Sequence, residues 1–207
     1  MTKVICFGDS NTFGWDPKDG SRYNFETRWT GILTTLLDKE FIVVEEGCND
    51  RTGFFPNSKG KLQSGQFYLP ECLKKHKYFD IFILALGTND LKKIFNLNEN
   101  IVKDGLKNFV TQIREINKQV RIIIIPPVIL SEKVVEVYGC QFDEKSVKSS
   151  VWIQKIYKEF SEEENCEYLD LNKYVYPSGL DGIHFDKSAH KIIAEKIANQ
   201  ILIQVCN

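Results

Sequence analysis

Short apolar runs alternate along the chain with longer amphipathic stretches, and this alternation limits the possible folds more than any other feature. The runs are KVICFG (3–8), FIVVEEG (41–47), DIFILALG (80–87), VRIIIIP (120–126) and CEYLDL (166–171). Each reads as a strand, and their apolar character on both faces indicates a parallel sheet covered on both sides. Between them the helical period takes over. RWTGILTTLLDKE (28–40) spaces Trp29, Ile32, Leu33, Leu36 and Leu37 along one helix face, and a shorter helix is predicted near 68–76. A long amphipathic helix is predicted over 98–117, another over 147–164, and a closing helix over 186–205 with Asp186 as its N-cap. The residues between 127 and 146 read as a loop, longer than most connections in a compact domain. Strands alternating with helices predict a three-layer, doubly wound α/β architecture with a five-stranded parallel sheet.

The 207 residues contain no repeat, linker or low-complexity tract, so residues 1–207 are expected to form a single domain. Basic residues number 27 and acidic residues 28, and they are interspersed, so no phosphate-tracking face is implied and nucleic acid is not an expected partner. The six cysteines, Cys6, Cys48, Cys72, Cys140, Cys166 and Cys206, form no CxxC pair. They read as free and mostly buried thiols of a reducing compartment. The first strand begins at Lys3, which leaves no room for an export signal ahead of it, and no run is long enough to span a bilayer. The expectation is a soluble, cytoplasmic protein that needs no cofactor, metal or membrane.

Ligands of open α/β sheets bind beyond the carboxyl ends of the strands. Here those ends are rich in small, polar and ionisable residues: Gly8-Asp9-Ser10, Gly47 to Thr52, Gly87-Thr88-Asn89-Asp90 and, after the fifth strand, Asp181-Gly182-Ile183-His184. Acyl transfer by a serine needs a nucleophile, a base, a group to orient the base, and donors for the developing oxyanion. Ser10, His184 and Asp181 fit the first three roles. Backbone N–H groups after the first two strands, with the Asn89 side chain, fit the fourth. Ser10 and His184 stand 174 positions apart, so only the fold can bring them together.

The four segments GDSNTFGW, Gly47 to Thr52, GTND and DGIHF resemble the sequence blocks of the SGNH (GDSL-type) hydrolases, in the usual order and across nearly the whole chain. RWTGIL (28–33), EEGCNDRT (45–52), LPECL (69–73), LGTND (86–90) and DGIHF (181–185) are similar to the arylesterase and acyltransferase branch. The resemblance implies a flavodoxin-like sheet, a triad of Ser10, Asp181 and His184, and metal-free hydrolysis of small esters. It further implies an oxyanion hole from the N–H of Ser10, the N–H of Asp50 and the side chain of Asn89. Together with the 127–146 loop, it also points to a homo-oligomer.

Two positions depart from the family pattern. Asp50 stands where a glycine or another small residue is common, and its carboxylate would oppose an oxyanion unless paired, with Arg51 or Arg28 the expected partner. Asn11 replaces a common leucine. Asp9, Asn11, Trp15 and Arg51 are candidate pocket residues, although Asp9 reads better as a brace of the turn. The segments 53–66 and 127–146 are expected to set the pocket's depth. His76 reads as solvated, and His190 as a surface or interhelical residue.

Other signatures are absent: no GxSxG elbow, no GxGxxG, no Walker-type loop and no HExxH. The functional expectation is a serine esterase for short acyl or acetyl esters, with a thioesterase, lysophospholipase or acyltransferase as variants of the same chemistry. The competing class is a flavodoxin-like module that binds a carbohydrate or nucleotide without chemistry.

Overall fold

The computed structural model describes residues 1–203. Cys206 and the predicted end of the closing helix lie outside the described residues. Five strands, β1 (Thr2–Gly8), β2 (Phe41–Gly47), β3 (Ile81–Ala85), β4 (Arg121–Ile125) and β5 (Glu167–Tyr168), form one sheet in the order β2-β1-β3-β4-β5. Every pairing is parallel. This is the flavodoxin-like order, whose reversal of direction falls between β1 and β3.

The helices are α1 (Ser10–Phe13), α2 (Trp29–Leu36), α3 (Gly65–His76), α4 (Glu99–Ile116), α5 (Lys133–Tyr138), α6 (Glu144–Glu163) and α7 (Lys187–Ile203). α2 packs on α7, while α3 packs on α4 and α4 on α6, which makes the two helical layers of the doubly wound arrangement. The sheet between them is dry. Val4 to Phe7, Ile81 to Leu84 and Ile122 to Ile125 are all buried, and each large apolar side chain so placed contributes on the order of 1.5–3 kcal/mol. No described helix is long and apolar enough to cross a membrane. Cys6, Cys48, Cys72, Cys140 and Cys166 are free; the first three are buried and Cys140 is exposed.

Several boundaries differ from the sequence reading, among them the starts of α3 and α6, each three residues earlier than expected. The 127–146 segment is not wholly a loop, because Lys133–Tyr138 forms α5. The fifth strand shrinks from six residues to Glu167–Tyr168, since the Asp170 side chain takes the Asn172 N–H at 3.1 Å and turns the chain into a 3-10 turn. The helix predicted over 28–40 stops at Leu36, and Asp38 takes a left-handed φ of 59°. The third strand ends at Ala85, so Leu86 to Asn89 leave the sheet and are available to the site.

Candidate active site

The carboxyl ends of β1, β2 and β3 lie level with one another, Gly8 pairing with both Gly47 and Ala85. Immediately after Gly8 the chain closes into the single turn α1, whose N-cap is Asp9, its carboxylate taking the Asn11 N–H at 2.9 Å. This turn rests directly on the end of β2. A Cβ at Gly47 would come within 2.3 Å of the Phe13 nitrogen, so only glycine lets the two segments approach so closely. Ser10 is thereby held at the rim of the sheet, buried but facing a cleft.

His184 arrives from the far end of the chain. Its Nε2 lies 2.9 Å from the Ser10 Oγ, and its Nδ1 lies 2.6 Å from Asp181 Oδ2. The other Asp181 oxygen accepts the N–H groups of Ile183 (3.1 Å) and His184 (3.0 Å), so the carboxylate fixes both the ring and the backbone that carries it. Gly182 makes this tight turn with φ 77°, where a Cβ would meet Ser131 Oγ at 2.5 Å and the Val134 nitrogen at 2.6 Å. Burial alone would raise the Asp181 carboxyl. The hydrogen bond and charge of His184, with the two N–H groups, outweigh it and hold the carboxyl below its ordinary value. Tyr138 of α5 places its hydroxyl 3.5 Å from Asp181 Oδ2, and both burial and that carboxylate push the phenol up. The Trp15 ring lies 5.8 Å from the imidazole, centroid to centroid.

A second cluster faces Ser10. Asn89, just beyond β3, donates its side-chain amide to the Arg51 carbonyl at 3.2 Å. The adjacent Asp90 is fully buried and accepts the N–H groups of Gly53 (2.6 Å), Phe54 (2.7 Å) and Phe55 (3.2 Å). Burial raises the Asp90 carboxyl to about 6 in spite of these donors. The N–H groups of Ser10 and Asp50 find no protein acceptor among the described residues. Two unsatisfied donors and an amide on the same cleft form an anion-receptive edge.

Asp50 explains its own departure from the family pattern. It adopts φ 62°, a left-handed conformation that glycine enters freely and that aspartate tolerates better than most residues. Its carboxylate is paired, but with neither expected arginine: Lys92 donates to it at 3.0 Å and Lys59 binds its other oxygen. Burial would raise this carboxyl, yet the two lysines hold it below its ordinary value.

Arg51 is instead almost wholly buried. Its guanidinium donates to the carbonyls of Gly8 (3.0 Å), Glu46 and Leu62 (2.9 Å), and it lies 4.5 Å above the Phe7 ring and 4.9 Å from that of Tyr68. Arg28 pairs with Glu45 at 2.6 Å. Of the four candidate pocket residues, Trp15 lines the cleft and the other three do not. Asp9 caps α1. Asn11 is turned away, donating to the Ile183 carbonyl (3.2 Å) and accepting the Phe185 N–H (3.2 Å), so it ties α1 to the His184 segment. Asp9 and Asn11 line a separate small cavity between the strand ends and α7.

The cleft encloses about 210 Å³ and is also lined by Asn49, Lys59, Lys92, Tyr138, Gln141 and Phe142. Five of these were missed by residue name, whereas Asn49 stands in the Gly47 to Thr52 segment singled out at the end of the second strand. Lys59 falls in the 53–66 segment, and Tyr138, Gln141 and Phe142 fall in the 127–146 segment, the two stretches expected to set pocket depth. Lys92 carried no signal beyond the need of Asp50 for a partner. Neither remaining histidine competes for the role of base. His76 is not solvated, since its Nε2 sits 2.6 Å from Glu46. His190 is buried between Tyr23 and Phe185, accepts the Trp29 N–H at 3.2 Å, and is pushed down to about 4 by burial.

Among the described residues one group of side chains has metal-binding chemistry: Glu46, Cys72 and His76 place ligand atoms within 4.8 Å of one another. Lys75 (2.8 Å) and Tyr68 (3.0 Å) already bond the Glu46 carboxylate, and the Arg51 guanidinium bonds the same residue's carbonyl. Two cations at such short range disfavour a third.

The chain is similar to several solved esterases. A solved carbohydrate acetylesterase from Sinorhizobium meliloti, Est24, is 26% identical over 99% of this chain and 100% of its own, with a TM-score of 0.91. An aryl esterase from M. smegmatis is 27% identical over 97% of this chain and 98% of its own, with a TM-score of 0.89. A lipase/acylhydrolase from Enterococcus faecalis, 20% identical over 97% of this chain and 95% of its own, shares the fold with a TM-score of 0.70. No curated protein matches significantly by sequence. The model of the GDSL-like lipase/acylhydrolase family matches residues 6–192. The chain therefore belongs to the GDSL-like lipase/acylhydrolase family, a family of carboxylic ester hydrolases.

Proposed function

We propose that the protein is a serine esterase that cleaves small acetyl or other short-chain acyl esters through Ser10, His184 and Asp181. The observation that carries this reading is the continuous hydrogen-bonded line from Ser10 Oγ to His184 Nε2 (2.9 Å) and from His184 Nδ1 to Asp181 Oδ2 (2.6 Å). In the proposed reaction the Ser10 oxygen attacks the ester carbonyl while its proton passes to His184 Nε2. The imidazolium so formed is stabilised by the ionised Asp181. The tetrahedral oxyanion is bound by the N–H groups of Ser10 and Asp50 and by the Asn89 amide. Collapse releases the alcohol with the proton from His184, and water, activated by the same imidazole, then frees the acid.

The short-chain preference rests on the walls of the cleft. Trp15, Tyr138 and Phe142 crowd a space of about 210 Å³ around the nucleophile. The two esterases named above suggest aryl alcohols and acetylated sugars as the first substrates to try.

The test is turnover of p-nitrophenyl acetate by the parent and by Ser10→Ala, with a fluorophosphonate probe as a second readout. The substitution is expected to lower kcat by about 10⁴-fold or more, and the probe is expected to label Ser10 alone. Parent-level turnover by Ser10→Ala would end this assignment. A folded parent that neither labels nor turns over any ester would point to a binding module. An acyl series from acetate to octanoate should show kcat/KM falling with chain length.

A further inference from the structure

The lysines that neutralise Asp50 also separate the nucleophile's cleft from a second one. Lys59, Lys92 and Gln141 line both the space around Ser10 and an adjoining pocket of about 330 Å³, which Asn57, Ser58 and Phe95 help to enclose. The charges lining the two spaces, apart from His184, are Asp50, Lys59 and Lys92, so one positive charge is left over at the divide. Lys92 is nearly buried, its side chain 10% exposed. Among the described residues its ammonium donates only to Asp50, which leaves part of its three-donor capacity unused. A partly desolvated cation with free donors, lining a pocket next to a nucleophile, is suited to an anionic group on the substrate.

We propose that Lys92 and Lys59, held in place by Asp50, form an anion-binding subsite, and that the preferred ester carries a carboxylate or phosphate a few atoms from the scissile carbonyl. The proposal rests on the esterase reading of Ser10. It gives Asp50 a purpose beyond its main-chain N–H. A glycine at this position would leave both ammonium groups without their common anchor.

Two substrate pairs test it, with rates taken above enzyme-free hydrolysis. The mono-p-nitrophenyl ester of glutarate is compared with p-nitrophenyl hexanoate, which puts the charge on the acyl side. The compound 4-acetoxybenzoate is compared with its methyl ester, which puts the charge on the alcohol side. In one of the two pairs kcat/KM is expected to favour the anion by about tenfold, the lower end of what one charge-assisted hydrogen bond supplies. Lys92→Met and Lys59→Met should each draw that ratio toward one, Lys92→Arg should restore it, and high salt should shrink it. Equal rates within both pairs, from an enzyme that hydrolyses p-nitrophenyl acetate and labels at Ser10, would overturn the subsite and leave the esterase reading standing. So would an anion preference that survives in the folded double variant Lys59→Met, Lys92→Met. Absence of all labelling and turnover would overturn the esterase reading and the subsite together.

Discussion

Asp90 Oδ1 accepts the Phe54 N–H at 2.7 Å, which fastens the end of β3 to the loop that follows β2. Asn89, the next residue back, makes a parallel link to the Arg51 carbonyl. The edge that faces Ser10 is therefore one braced unit, although its parts come from different crossovers of the sheet.

The buried Asp90 carboxyl is raised to about 6. An acid whose folded value lies above its unfolded value holds its proton more firmly when folded, so this group alone lowers stability as pH rises from about 4 to about 6. Above that range it costs a constant amount, about 2–3 kcal/mol in the charged form relative to the neutral one. Carboxyl titration by carbon NMR is expected to place Asp90 near 6, and Asp90→Asn should remove this part of the stability-pH profile. A midpoint near 4 would contradict it.

On the proposed mechanism Asn89 supplies one of three oxyanion donors. Asn89→Ala is expected to lower kcat roughly 10²–10³-fold with little change in KM, because the interaction strengthens only as charge develops. A loss confined to KM would place Asn89 in ground-state binding instead.

On the proposed mechanism Asp181, whose carboxyl is held below its ordinary value, selects the ring tautomer that leaves Nε2 free to accept the Ser10 proton. Asp181→Asn is expected to lower kcat by about 10⁴-fold at neutral pH, as a side-chain amide can hold the wrong tautomer. Folding should change much less, which circular dichroism and thermal denaturation would check.

Gly182 occupies a left-handed position with Ser131 and Val134 packed where a Cβ would go. Gly182→Ala should combine backbone strain of about 1–2 kcal/mol with a clash against main chain. Thermal stability and activity are both expected to drop, because His184 follows two residues later. Unchanged activity would show that the turn adapts without moving the imidazole.

Acid should destabilise the protein through a different set of carboxylates. Glu45, Glu46, Asp50 and Asp181 are all held below their ordinary values by partners that outweigh burial. Groups with lowered folded values add stability above the unfolded carboxylate range and lose it as pH falls through the folded value. Denaturant midpoints measured from pH 6 down to pH 3 should fall progressively, and Glu46→Gln should flatten that fall.

The sheet was readable because β1, β3 and β4 are apolar on both faces, a pattern that a two-layer fold would not require. The grouping of Ser10, Asn89, Asp181 and His184 was readable for a related reason: polar residues massed at the ends of such strands have little packing role. Partners set by three-dimensional proximity were not readable. Asp50 meets Lys59 and Lys92 rather than Arg28 or Arg51 because its left-handed backbone turns the carboxylate outward, whereas Arg51 points inward beneath the sheet's edge. His76 looked solvated amid lysines, yet the end of α3 carries it to the buried Glu46. β5 was overestimated because CEYLDL has strand composition, while the Asp170 side chain redirects the chain after two paired residues.

Arg51 binds the carbonyls of Gly8 and Glu46 at once, with Phe7 and Tyr68 against its guanidinium. It acts as a rivet through two neighbouring strand ends, and Ser10 sits two residues beyond Gly8, the rivet's first hold. Opening Ser10's surroundings would expose a desolvated cation and two carbonyls, so the seat cannot fray as an ordinary loop does. The Thr12 and Phe13 amides of this turn, both bonded to the Asp9 carbonyl, are therefore expected to exchange as slowly as those of the central strands, which ties the lifetime of the site to that of the folded domain.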